Sequence, residues 1–208
     1  MALKILDNAL LSHKINLIRN KHASSEEIRR AVEDVTVISL SHMAQLFPGE
    51  EREIETPMGN YTFEFIMEEK IVFVCVLRAG IPMLNGALRA LPKAKAGFVA
   101  IKRDEETLMP KLYYWRLPDL TNKFVVVLDP MLATGGTLSL TIDRLKEAKP
   151  ERIMSLNLVA SPEGLERLLS SHPDVDFFVV RVDRGLNKKG YIVPGVGDLG
   201  DRLFSEGL

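Results

Sequence analysis

The chain has 208 residues, and its 27 Lys and Arg against 28 Asp and Glu leave a formal net charge of −1. That balance argues against a protein whose main task is gripping nucleic-acid backbone, which calls for a basic excess, and 46% hydrophobic with 26% charged residues excludes a disordered chain. No apolar run approaches the ~18–20 residues of a membrane span, the lone Cys75 cannot form an intrachain disulfide, and the opening MALKILDNALLSHK lacks the features of a signal peptide. A soluble, cytoplasmic protein is expected, with one domain spanning residues 1–208 and neither nucleic acid nor membrane as partner.

In chain order, Leu3, Leu6, Leu10 and Leu17 predict a first helix with these leucines on one face. Ser24-Ser25-Glu26-Glu27 contains a capping box, followed at helical period by Ile28, Val32, Val35 and Ile38. Pro48-Gly49 stops that second helix. Residues 51–67 alternate, with Tyr61, Phe63 and Phe65 on one face and a turn at Pro57-Met58-Gly59-Asn60, which predicts a β-hairpin. From Lys70 the pattern changes to short apolar runs: Ile71 to Leu77, Gly97 to Ile101, Phe124 to Leu128, Ile153 to Val159 and Phe177 to Val182. Strands buried on both faces of a parallel sheet read this way. Helical stretches separate most of them, such as Thr137 to Ala148 and Pro162 to Ser171, the latter with Ser161 as its cap. The result is an α/β fold of right-handed βαβ units. In such sheets ligands bind beyond the carboxyl ends of the strands, so chemistry is expected after Leu77, Ile101, Asp129 and Asp183.

Four stretches there carry candidate chemistry. Asp129 closes an apolar strand and leads through Pro130-Met131-Leu132-Ala133 into Thr134-Gly135-Gly136-Thr137 and a helix. Glycines that admit a ligand to the backbone, together with the free N–H groups of a helix start, make an anion cradle. Thr134 and Thr137 add hydroxyls, while Asp129 suits ribose hydroxyls or a positive centre. A tight turn capped by Thr137 is the structural alternative. Arg78, in Leu77-Arg78-Ala79-Gly80, offers paired donors to a diphosphate beside small residues that leave it room. Lys102 to Thr107, running on through Tyr113-Tyr114-Trp115 to Pro118, is long for a strand-to-helix loop and reads as a functional loop or lid, with a dimer contact as the alternative for its aromatics. Finally, Gly190 to Arg202 contains a literal G-x-G-x-x-G at Gly195, Gly197 and Gly200, but only eight residues follow, too few for a dinucleotide-binding unit. His13, His22, His42 and His172 show no metal spacing and read as helix-surface or capping residues.

The Asp129 to Thr137 stretch resembles the phosphoribosyl pyrophosphate loop of the type I phosphoribosyltransferases. With Pro130 in place of the family's usual second acidic residue, it is similar to the uracil branch, as is the Gly190 to Arg202 stretch. The resemblance implies a type I phosphoribosyltransferase-like parallel sheet flanked by helices, with a β-hairpin/arm and a C-terminal base-binding segment. It implies transfer of the phosphoribosyl group to uracil, giving UMP and pyrophosphate. Phosphoribosyl pyrophosphate would be held by Arg78, Arg103, Asp129, Pro130, Met131, Leu132, Ala133, Thr134, Gly135, Gly136, Thr137 and Asp198, with Asp129, Arg78 and Arg103 in the catalytic roles. Uracil would meet Ile192, Gly197, Asp198 and Leu199, where many relatives have Ala at the last position. Main-chain groups can match uracil's two carbonyls and N–H, whereas cytosine would set a donor against a donor. Mg²⁺ is implied, bound mainly with the phosphoribosyl pyrophosphate and within reach of Asp198. Parts of the family respond to GTP, for which no residue here assigns a site. A homodimer or homotetramer is the family expectation, with the hairpin near Tyr61 to Phe65 as candidate contact. Two alternatives remain: a pyrimidine-operon RNA-binding regulator on the same fold, and a phosphoribosyltransferase for another base.

Overall fold

A computed structural model of the chain describes residues 3–103 and 110–204, the side chains of Lys102, Arg103 and Pro110 excepted. Its centre is β4 (Ile71–Val76), buried along its whole length. Ile71, Phe73 and Cys75 face one hydrophobic core and Val72, Val74 and Val76 the other, the two-sided burial that a continuous apolar run requires. β4 pairs in parallel with β5 (Lys95–Arg103) on one side and β7 (Phe124–Leu128) on the other. Beyond β7 lie β9 (Arg152–Ala160), β10 (Asp176–Val182) and β1 (Leu3–Ile5), all parallel. Beyond β5 lies β6 (Pro110–Arg116), which runs antiparallel. The two-residue β8 (Met131–Leu132) adds to β9.

Helices cover both faces. α1 (Ala9–Arg19), α2 (Ser25–Met43) and α3 (Ile81–Ala90) pack on the Phe73 side, α4 (Gly136–Glu147) and α5 (Pro162–Ser171) on the Val74 side. The Ser24 capping box forms as expected, with Ser24 Oγ accepting from Glu27 N–H at 3.2 Å and Glu27 Oε2 accepting from Ser24 N–H at 2.7 Å. β2 (Gly49–Thr56) and β3 (Gly59–Ile66) form the hairpin as a separate two-stranded sheet. Ile54, Met58, Tyr61 and Phe63 stand exposed on it.

Two expectations change. The N-terminal leucines do not share a helix face: Leu3 lies in β1, while Leu10 and Leu17 are 51% and 44% exposed. Asn8 accepts from Leu11 N–H at 3.0 Å and starts the helix at Ala9, so Leu11, Ile15 and Ile18 form its buried face. The stretch through Tyr113-Tyr114-Trp115 is a strand, not a loop; Asp104 to Thr107 lie outside the described residues. His172 takes the capping role of the two expected, closing α5 with its N–H donating to Leu168 O at 2.8 Å; it is buried, with Nε2 2.9 Å from Ser139 Oγ, and burial lowers its pKa.

Candidate active site

The sheet order β1-β10-β9-β7-β4-β5-β6 reverses direction between β4 and β7. The chain leaves β4 for α3 on one face, and leaves β7 for α4 on the other, so their loops diverge and open a crevice at the carboxyl end. A cavity of about 710 Å³ fills this place, lined by Arg78 and Ala79 from one loop and by Asp129 and Met131 to Leu138 from the other. Thr134, Gly135, Gly136 and Thr137 surround the amino end of α4, where helix N–H groups point at any anion in the crevice.

Packing holds this loop in shape from behind. Ser161 Oγ donates to Ala133 O at 2.6 Å and accepts from Gly164 N–H at 2.9 Å. A Cβ on Gly164 would sit 2.2 Å from Ala133 O, so the first turn of α5 touches the loop only because residue 164 is glycine. Pro130 is buried and its carbonyl accepts from Leu158 and Val159 N–H at 3.1 and 3.0 Å, so it anchors the loop to β9 and does not line the cavity.

Asp129 is 8% exposed. Its carbonyl accepts from Asn157 Nδ2 at 2.7 Å, and among the described residues its carboxylate accepts a single long bond, 3.4 Å, from Met131 N–H. Burial without a matching cation pushes its pKa up to about 7. Beneath it, burial and then the Asp129 charge push the Cys75 thiol up to about 12, which makes that residue inert core. Arg78 is half-exposed and its Nη2 lies 2.9 Å from Asp201. The side chain of Arg103 lies outside the described residues. Gly80 is small for a different reason from the one expected: a Cβ there would meet Leu128 O at 2.6 Å and Val76 O at 2.7 Å, so it serves the packing of the two loops rather than room for a ligand.

A second cavity of about 170 Å³ adjoins the first, walled by Gly190, Tyr191, Ile192, Val196 and Gly197. Met131, Ala133 and Asp198 line both cavities. The C-terminal segment reaches this position through β11 (Gly185–Leu186) and β12 (Ile192–Val193), and continues into α6 (Leu199–Phe204). Gly195, at φ 61°, makes the turn. Leu199 is fully buried in the core and lines neither cavity. Tyr113, from the stretch read as a functional loop or lid, lines the larger cavity, as do Ala100 and Ile101, which the sequence did not single out; the antiparallel pairing of β6 with β5 brings Tyr113 there, and no local pattern signals that placement.

The family model "Uracil phosphoribosyltransferase" matches residues 5–205. The chain belongs to the uracil phosphoribosyltransferase family. A curated uracil phosphoribosyltransferase of Aquifex aeolicus (strain VF5) is 44% identical over 200 residues, 96% of each chain. The solved structure of the AQ2163 protein from Aquifex aeolicus superposes with a TM-score of 0.95 at 43% identity, over 99% of both chains. A hypoxanthine-guanine phosphoribosyltransferase from Bacillus anthracis shares the fold alone, with a TM-score of 0.54 at 18% identity, over 76% of this chain and 80% of that one.

Proposed function

We propose that the chain, acting as a single domain, transfers the phosphoribosyl group of phosphoribosyl pyrophosphate to uracil, giving UMP and pyrophosphate. The observation that supports this reading is the junction at Met131, Ala133 and Asp198, where a small cavity lined by the Gly190–Gly197 segment adjoins the larger cavity at the amino end of α4. A ring in the first and a ribose 5-phosphate in the second would bring a ring nitrogen to the anomeric carbon. Thr134 to Thr137 and the α4 amino end hold the 5-phosphate, Asp129 the ribose hydroxyls, and Arg78 and Arg103 the diphosphate. The bond from the anomeric carbon to pyrophosphate breaks with oxocarbenium character, the bond to uracil N1 forms, and the N1 proton passes to water. Stabilisation of the departing diphosphate by placed positive groups is electrostatic rather than covalent catalysis.

Two carboxyl groups, Asp129 and Asp198, line a cavity assigned to a polyanion. Among the described residues no three His, Cys, Asp or Glu side chains form a metal cluster. This donor set fits Mg²⁺ held mainly by substrate oxygens, with Asp198 as its protein neighbour. When bound, the ion neutralises diphosphate charge. The pyrimidine-operon regulator is not favoured by the family match. Among the described residues no helix is long and apolar enough to cross a membrane. The exposed apolar hairpin supports assembly as a homodimer or homotetramer through Ile54, Tyr61 and Phe63. A GTP effector finds no assigned site. Isothermal titration of UMP tests the site: binding that is lost in Gly197→Val supports it, and equal binding by both proteins overturns it.

A further inference from the structure

The segment that forms the small cavity has little secondary structure of its own: between the two-residue β12 and the short α6 it is irregular chain. If main-chain groups read a base, their placement must come from elsewhere. Two arginines supply it. Arg19, at the end of α1, forms a bidentate pair with Asp183 at 2.8 and 2.6 Å, and its Nη1 also donates to Gly195 O. Asp183 Oδ2 accepts from Gly195 N–H at 2.8 Å, so both polar groups of Gly195 are taken by one partly buried ion pair.

Arg202 acts from the other side. Its Nη1 donates to Val196 O and to Ile18 O, both at 2.6 Å, and its Nη2 to Asn20 O at 2.6 Å. One guanidinium thereby joins the base segment to the carbonyl end of α1, where a cation complements the helix dipole. Among the described residues, no group accepts from the N–H of Gly197 or Asp198, the two residues that line the cavity next to these pinned carbonyls.

We propose that Arg202 and the Arg19–Asp183 pair are positioning residues for base recognition: they fix the Gly195 and Val196 carbonyls so that the neighbouring main-chain N–H groups hold the register that selects uracil. The inference rests on the uracil reading of the small cavity. A planar fork that meets three carbonyls at once has no equivalent in a lysine ammonium, so Arg202→Lys keeps the charge and loses the geometry. Misplacement by a fraction of an ångström at a hydrogen-bonded base costs affinity for that base specifically.

The experiment compares wild type, Arg202→Lys, Arg19→Lys and Asp183→Asn by steady-state kinetics with uracil and with phosphoribosyl pyrophosphate, by uracil-over-cytosine selectivity and by thermal melting. The expected result is a rise of about tenfold or more in KM for uracil and a lower uracil preference, with KM for phosphoribosyl pyrophosphate within about twofold. Equal rises in both KM values, or unchanged uracil KM with a lowered Tm, would overturn the proposal by showing a merely structural role. Wild type that forms no UMP refutes the function itself; wild type that forms UMP while the variants keep its uracil KM refutes the clamp alone. If one variant does not fold, the other two decide, because each removes a different bond to the same segment.

Discussion

Asp129→Asn separates the two duties of a buried carboxyl. The folded chain holds this group at a pKa of about 7, against an ordinary 3.8. A carboxyl whose folded pKa is raised contributes stability that is fully present below the unfolded value and is lost as pH rises through the folded value. At about 1.4 kcal/mol per tenfold in proton affinity, ionising Asp129 costs the fold roughly 4 kcal/mol once the pH is well above 7, and about 2–3 kcal/mol of that falls between pH 5 and pH 8. The asparagine keeps the shape and has no charge to desolvate. Asp129→Asn should therefore melt above wild type at pH 8, by roughly 8–16 °C for a chain of this size, and the gap should shrink by more than half at pH 5. Turnover should move the other way, falling at least about 100-fold, as expected for loss of a charge-bearing group at a reacting ribosyl centre. Differential scanning calorimetry across pH, beside a UMP-forming assay, reads both. A variant less stable than wild type at pH 8, or a stability gap that does not change with pH, would refute the reasoning about this carboxyl.

Leu199→Ala should cost roughly 2–5 kcal/mol of stability, the usual range for a fully buried leucine, with KM for uracil little changed in the folded fraction, since the side chain lines neither cavity; denaturant unfolding and kinetics check this. Gly164→Ala should weaken phosphoribosyl pyrophosphate binding about tenfold or more, because its Cβ cannot share space with Ala133 O; titration calorimetry gives the answer, and unchanged affinity would contradict it. If the proposed homodimer or homotetramer forms through the hairpin, light scattering should find the wild type assembled and Phe63→Glu monomeric with an intact far-ultraviolet circular dichroism spectrum, because the substitution charges an exposed apolar hairpin.

The strands of the parallel sheet and the glycine loop that starts α4 were legible because each is a local run. A strand buried on both faces must be apolar at every position, as Ile71 to Val76 are, and an anion cradle needs its glycines and hydroxyls in one short run. Features made by distant segments were not legible. The antiparallel placement of β6 beside β5 brings Tyr113 to the cavity, and nothing within Tyr113-Tyr114-Trp115 distinguishes that from a lid. Arg19, Asp183 and Arg202 lie up to 183 positions apart and look like ordinary surface charges in the sequence. The first helix was misread because Leu3, Leu6, Leu10 and Leu17 fit helical spacing, whereas β1 pairing and the Asn8 cap set a different register. Gly80 was correctly singled out as a small residue, but its neighbours are two backbone carbonyls, which only the fold supplies.

The central claim is that one cavity presents a pyrimidine ring to a ribosyl diphosphate held in the next. The most direct measurement incubates the purified chain with phosphoribosyl pyrophosphate, Mg²⁺ and, in parallel reactions, uracil, cytosine, adenine, guanine, hypoxanthine or orotate, and separates the nucleotides by chromatography. UMP and pyrophosphate in equal amounts from uracil, with the other bases giving little or no product, is the predicted result. No nucleotide from uracil, or faster product formation from another base, would contradict it.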